Sequence, residues 1–328
     1  MFNDKRILIT GGTGSWGQTL TRLLLERYKP KEIIIFSRGE LQQVLMGRKF
    51  TDTRVKYIIG DIRDFDSIEF ATRGVDIIFH MAALKHVPIC EDHPHEAIKT
   101  NIDGTNNVIR AAINNKVTRV IDVSTDKAVE PNNLYGMTKA VGEKLILQAN
   151  TLSEHTRFTV IRGGNVMGSN GSIIPLFVEQ IKSRTNITIT DEKMTRFFLT
   201  LEEAILLLFE AAEVSQGGET FVMAMPACAI IDLVEVLMDY YGKVNTVITG
   251  IRPGEKLNEV LVSKHESVLT YSWNQDYFVI LPSNNNTQLL EKYGHLQKIE
   301  HDEFSSATKL MSKQEIHEML DLGGFLCK

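Results

Sequence analysis

Short, β-branched apolar runs at 6–10, 32–37, 55–59, 75–80, 119–124 and 158–162 alternate with helical spacing over 19–27, 97–115 and 135–151. Bounded runs of this kind suit strands covered on both faces, and such strands pair in parallel. Parallel neighbours need a crossover, which the intervening helical segments supply. The alternation therefore predicts an α/β fold, a doubly wound parallel sheet with helices on both faces. After about residue 165 it weakens into an extended segment through Thr190, helices over 201–212 and 230–241, and a strand near Val247. That change predicts a first domain over 1–165 and a smaller, mixed α/β lobe over 166–328, with the 201–212 helix packing back on the first domain.

At 328 residues, 43% hydrophobic and 23% charged, the chain is large enough to bury such a core. The net charge of -5 and the scattered lysines leave no basic footprint, so no nucleic-acid partner is expected. No apolar stretch approaches membrane-spanning length, and the charged segment from Met1 to Arg6 runs into the first strand without a signal-type apolar region. The expectation is a cytoplasmic protein without membrane insertion. Cys90, Cys228 and Cys327 are odd in number and lack ligand spacing, which argues against a disulfide framework and a zinc site. His80, His86, His93 and His95 lie close in sequence but read as strand-end and loop residues, so no metal is expected. An exposed loop is expected at 283–287.

Gly11, Gly14 and Gly17 follow the first run at once, with Thr13, Ser15 and Trp16 between them, and open the first helix. Glycines there allow a tight turn, close approach of backbone to a pyrophosphate and close helix packing, while the helix amino terminus attracts the anion. This marks the first domain as a dinucleotide-binding Rossmann unit. The second strand ends in Ser37 and Arg38, where an NAD site places a carboxylate; a hydroxyl and a guanidinium suit the extra phosphate of NADP instead. Arg38 could equally be a solvated loop charge. Asp61, followed by Ile62, could accept from the adenine amino group or cap the next helix.

Residues 124–139 hold the chemistry: Ser-Thr-Asp-Lys-Ala, then Tyr-Gly-Met-Thr-Lys. Tyr135 and Lys139 stand four apart, so on a helix they share a face and the ammonium can favour the phenolate. Asp126 and Lys127 end an apolar run, which puts an acid and an amine at the carboxyl edge of a strand, where open α/β sheets bind ligands. Such a group suits hydride transfer together with proton transfer on carbon. The alternative is a structural ion pair between Asp126, Lys127 and other residues.

With Ala82 and Ala83 after the fourth strand and Asn101 in the following helix, these motifs resemble the extended short-chain dehydrogenase/reductases that modify nucleotide sugars. More narrowly, the chain resembles the inverting UDP-N-acetylglucosamine 4,6-dehydratases that start pseudaminic acid synthesis. The resemblance runs through Met-Phe-Asn at the start, Ala-Leu-Lys-His-Val-Pro around Lys85, Ser-Thr-Asp-Lys-Ala, Gly-Asn-Val at 164–166, Met-Thr-Arg-Phe at 194–197 and Arg-Pro-Gly-Glu-Lys-Leu at 252–257. Gly163 and Asn170 depart from it, standing where the family carries an aromatic residue and an arginine.

The resemblance implies NADP held by the glycine turn, Ser37, Arg38, Asp61, Ile62, Ala82, Ala83, Lys85, Asn101, Tyr135 and Lys139. It implies a UDP-sugar near Lys85, Thr125, Asn165, Val166, Arg196, Arg252 and Glu255, with Arg252 by the diphosphate. For Arg196 and Glu255 an ion pair between lobes remains open, and Lys85 could instead close a charged loop with Glu91 and Asp92. The implied chemistry oxidises carbon 4 with Tyr135 as base, removes the carbon 5 proton with Lys127, and expels the 6-hydroxyl with Asp126 as acid. Lys127 must then be neutral, which burial or the charge of Lys139 or Lys85 would favour. Asn101 would order Lys139 through a water or a carbonyl. Lys127 occupies the position where retaining dehydratases carry glutamate, which points to inversion at carbon 5. A nucleotide-sugar epimerase, a retaining dehydratase and an NADP-binding sensor remain the competing functions, and a homo-oligomer, up to a hexamer, is expected.

Overall fold

The computed structural model describes residues 1–328 apart from 169–171, 284–285 and 327–328. The chain opens with β1 (Arg6–Thr10), α1 (Ser15–Arg27), β2 (Glu32–Ser37), α2 (Glu40–Lys49), β3 (Val55–Ile59), α3 (Phe65–Ala71) and β4 (Ile77–His80). There follow α4 (Val87–Asp92), α5 (Pro94–Ile98), α6 (Gly104–Asn114), β5 (Arg119–Thr125), α7 (Leu134–Gln148) and β6 (Arg157–Gly163). All six strands pair in parallel, in the order β3-β2-β1-β4-β5-β6. The order reverses between β1 and β4, and at such a switch point the two following loops part to leave a crevice.

Burial on both faces explains the apolar strands. In β1, Ile7 and Ile9 enter one packed layer and Leu8 the other, and all three are fully buried. Side chains of this size stabilise by about 1.5–3 kcal/mol each when buried. Gly17 carries the close packing of α1: a Cβ there would stand 2.3 Å from the Gly12 carbonyl oxygen. The fourth strand starts at Ile77 rather than at 75, because the Val75 amide turns back onto the Thr72 carbonyl.

The helix expected over 97–115 is interrupted. Between α5 and α6, Lys99–Asp103 forms a wider π turn, and Asn101 sits in it. Such turns recur at functional sites because they re-aim a side chain. Residues 166–190 depart further from the extended segment expected, since Ile173–Lys182 is a helix that buries Ile174, Phe177 and Ile181. Pro175 lies in its first turn, where a missing N–H costs no hydrogen bond, so it does not break the helix.

The sheet does not stop at residue 165. Thr220–Met223 adds in parallel beside β6, and Tyr277–Ile280 and Thr270–Ser272 follow antiparallel, giving nine strands. Phe221 and Val222 are fully buried, so the second half of the chain completes the core of the first. The helix Leu201–Val214 starts with a Thr200–Glu203 capping box and lies against the first domain, with the Phe209 ring tilted against Phe2 and edge-on to Tyr28, and Glu202 paired to Arg22 at 2.7 Å. Asn165–Val166, Thr195–Leu199 and Ala227–Ala229 form a small separate sheet.

Replacing Gly17 by Ala forces α1 off the glycine turn, since the obstacle is backbone and cannot rotate away. The variant is expected to lose about 1–3 kcal/mol of stability, read as a lower urea midpoint with an unchanged slope; an unchanged midpoint would show that α1 is free to step aside.

Candidate active site

One cleft of about 730 Å³ runs along the carboxyl edge of the parallel strands. The turn after β1 lines one end, where Gly11 has φ +67 and a Cβ on it would lie 2.9 Å from the Ala82 backbone. The amino terminus of α1 is open: Gly14 caps it without a side chain, and its first turn carries no acid. Anions are favoured at such a terminus. Ser37, Arg38, Asp61 and Ile62 line a second wall, and Ala82, Ala83 and Lys85 a third. Arg38 is half exposed and stands 3.9 Å from Asp61 Oδ2, while Arg63 holds both Asp61 oxygens. Burial works to raise the Asp61 carboxyl, but the Arg63 bonds outweigh it and hold it low.

The far end of the cleft is built by β5 and α7. Asn133 caps α7 through Gly136 N, and Glu91 accepts from Leu134 N, so the helix begins just before Tyr135. Tyr135, Lys139, Thr125 and Lys127 all line the cleft. Burial raises the Tyr135 phenol, while Lys139, Lys127 and a hydrogen bond from Thr125 oppose the rise. Lys127 Nζ lies 3.0 Å from Asp126 Oδ1 and 3.5 Å from Glu259 Oε1. Desolvation alone would lower its pKa, but the two carboxylates outweigh that and hold the ammonium charged. The expected depression of Lys127 is therefore absent in this geometry, because its nearest charges are acids rather than Lys139 or Lys85. Asp126 is fully buried behind Lys127 and does not line the cleft; its Oδ2 has no hydrogen-bond partner among the described residues.

Residues 7–281 match the model of a family described as polysaccharide biosynthesis protein. The chain belongs to that family. It is an enzyme with the fold of the extended short-chain dehydrogenase/reductases. It is 47% identical over 286 residues to an inverting UDP-N-acetylglucosamine 4,6-dehydratase of Campylobacter jejuni, covering 86% of this chain and 84% of that one. It is 42% identical to a UDP-glucose 4-epimerase of Rickettsia rickettsii, over 98% of this chain and 96% of the other. The crystal structure of Pen from Bacillus thuringiensis superposes with a TM-score of 0.91 at 40% identity, over 99% of both chains.

Within this family member, Thr13, Gly14, Ser15 and Trp16 line the cleft, whereas Gly17 serves helix packing behind it. Asn101 is not on the wall either. Its amide brackets the Leu84 backbone, accepting from N at 2.8 Å and donating to O at 2.9 Å, and donates to Thr138 Oγ1. It orders the loop after β4 and, through Thr138, the helix that carries Lys139. Asp61 does not cap α3, since Asp64 does. Asn165, Val166 and Arg196 line the cleft, with Arg196 spending its guanidinium on the carbonyls of Thr195, Lys256 and Leu257 and on Glu259 at 3.7 Å. Arg252 and Glu255 lie off the wall. Pro253 and Gly254 turn their loop onto Asn133, leaving Arg252 exposed and the Glu255 carboxylate on the Arg252 amide. The space beside Gly163 is bounded by Met223 Sδ, 3.1 Å from where a Cβ would stand, and Asn170 lies outside the described residues.

Four charged residues of the site escaped the sequence reading. Glu259 reaches Lys127 from far along the chain, and nothing local marks it. Arg162 and Glu143 pair beneath α7. Asp122 escaped it too, although it interrupts an apolar run and shares a strand face with Ser124, a signal that could have found it. Among the described residues no group of histidine, cysteine and carboxylate side chains could hold a metal ion.

His80 ends β4 with Nδ1 2.8 Å from Thr10 Oγ1 and Nε2 3.1 Å from Thr105 Oγ1, and burial depresses its pKa to about 4. Its folded value lies below the unfolded one, so the unfolded chain takes up the proton first. The stability it contributes is complete above about pH 6.5 and is lost as pH falls through 4, about 3 kcal/mol in all. Urea unfolding across that window should show a steeper loss for the native protein than for His80→Gln; parallel curves would reject the assignment.

Proposed function

We propose that the protein removes water across carbons 5 and 6 of UDP-N-acetylglucosamine with inversion at carbon 5, using NADP. The product is UDP-2-acetamido-2,6-dideoxy-β-L-arabino-hexos-4-ulose. The observation that carries this reading is the Asp126–Lys127 pair, with Lys127 on the same cleft wall as Tyr135. Oxidation at carbon 4 needs one base; elimination needs a second proton-transfer group, and this pair is such a group. The inverting dehydratase among the relatives supports the same reading. A UDP-sugar 4-epimerase is the second reading, favoured by the Rickettsia relative. It leaves the pair without a task.

The glycine turn fits a dinucleotide, since a Cβ at Gly11 would strike the opposite loop and the α1 terminus is open. A bound nicotinamide would supply a hydride acceptor for carbon 4 and a hydride donor for carbon 6, held between the glycine turn and the walls of Ser37, Arg38, Ala82 and Ala83. Ser37 ends β2 and Arg38 follows it, neither of them a carboxylate, which suits the phosphate of NADP. Tyr135 takes the 4-hydroxyl proton, helped by the Lys139 charge on its own helix face. The resulting ketone acidifies carbon 5. Lys127 lines the cleft, which supports it as the group that takes that proton. One proton passed along the 3.0 Å contact converts ammonium and carboxylate into free amine and carboxylic acid with no change in net charge. Those are the two forms elimination requires. Asp126 then acts from behind Lys127, as the reservoir of the proton given to the departing hydroxyl. Homo-oligomeric assembly, a cytoplasmic location and a role in pseudaminic acid synthesis belong to the same proposal.

Purified protein given UDP-N-acetylglucosamine in deuterated water should yield a product lighter by one water, labelled at carbon 5 and of L-arabino configuration in early proton NMR spectra. Unchanged mass would favour the epimerase, and a first product of D-xylo configuration a retaining dehydratase. Separately, Arg38→Ala should weaken NADP binding by roughly tenfold or more, the loss of one charge-assisted phosphate contact of about 1.5–3 kcal/mol, and NAD binding much less. Calorimetric titration of both cofactors checks this; equal losses would make Arg38 an ordinary surface charge.

A further inference from the structure

We propose that Asp122 is a positioning residue for Lys139, holding its ammonium beside Tyr135 and supplying its counter-charge, so that the phenol is tuned from inside the sheet. The inference rests on Tyr135 being the proton acceptor of the proposed reaction. Asp122 stands in the middle of β5, between Ile121 and Val123 and paired with His80 on β4 and Val160 on β6, and it is 0% exposed. Lys139 Nζ lies 3.3 Å from each of its oxygens, and among the described residues no other cation pairs with it. Lys139 itself is buried. A carboxylate at such a position is costly unless paired, and a buried ion pair adds little net stability over an apolar filling, so packing alone does not account for it.

What the pair does account for is the placement of charge. An ammonium has three N–H groups; two directed at Asp122 leave one for the cleft. The groups around the phenol complete the picture. Tyr135 faces Lys139 on its own helix, Thr125, Asp126 and Lys127 from the end of β5, and the neutral Cys90 thiol from α4. Lys139 faces Asp122 from β5 and uncharged His80 from β4, and Glu143, one turn on, is engaged by Arg162. Each cation beside the phenol therefore has its own carboxylate: Asp126 and Glu259 for Lys127, Asp122 for Lys139. Without Asp122, the ammonium is left buried and uncompensated, and it either sheds its proton or swings toward solvent. In both cases Tyr135 loses the cation that opposes its burial.

The test follows the Tyr135 phenol by NMR of isotope-labelled tyrosine, its resonance identified by its loss in Tyr135→Phe. Asp122→Asn keeps the shape and removes the charge, and should raise the titration midpoint by about one unit or more, the size of an opposite-charge effect at this range. Lys139→Met should raise it similarly, and adding Asp122→Asn to Lys139→Met should change nothing further, because the carboxylate acts through the ammonium. An unchanged or lowered midpoint in Asp122→Asn, or a further shift in the double variant, would overturn the proposal. Should Asp122→Asn alone not fold, the double variant, which leaves neither charge unpaired, should fold and titrate as Lys139→Met does; failure of both to fold would count against the pairing. The titration uses no substrate, so its outcome is separable from whether the enzyme expels water from a UDP-sugar.

Discussion

The guanidinium of Arg162 is the contact on which both halves of the chain close. From the carboxyl end of β6 it donates to both oxygens of Glu143 on α7, both oxygens of Glu266 in the second half, and the Leu261 carbonyl. Glu143 also accepts from Ser124 of β5 at 2.5 Å. A buried charge of this kind is tolerable only when every donor has a partner, and removing one partner costs about 3–5 kcal/mol. The arrangement thus sets one relation among β5, β6, α7 and the segment around residues 261–266, and Tyr135 and Lys139 ride on that α7.

Because α7 is held this way, the chemistry of the cleft becomes a matter of balanced charges. Lys127 and Lys139 flank the phenol, and both are neutralised from behind by buried acids that the cleft does not expose. Burial keeps Tyr135 protonated in the resting site, and the lysines provide the opposing pull. The same economy appears at the other end, where Arg63 occupies Asp61 and leaves Arg38 only distantly engaged.

The glycine turn, the first six strands as members of a parallel sheet and the helix bearing Tyr135 were legible because each carries a local signal. Turn geometry, strand burial and helical spacing depend on neighbours within a few residues. Asn101 was placed in the right helix, and which backbone its amide meets, that of Leu84, was set by a π turn the spacing does not mark. The helix Ile173–Lys182 was read as part of an extended segment, although Pro175 sits in its first turn, where it does not break a helix. Arg252 and Glu255 were expected on the substrate wall, and the turn at Gly254 takes them away from it.

The sequence by itself determined a doubly wound α/β sheet, a dinucleotide turn, and a tyrosine and lysine on one helix face beside an acid–amine pair. Those are short-range facts, set by the periodicity of strands and helices. Only the tertiary structure decided which charge each of these groups meets. Glu259 comes to Lys127 from 132 positions away, and Asp122 reaches Lys139 across the packing of strand on helix. Electrostatic effects act through space and grow as water is excluded, so they depend on what folding brings together and buries. For that reason the identities of the catalytic candidates could be read along the chain, while the charge state of Lys127 could not.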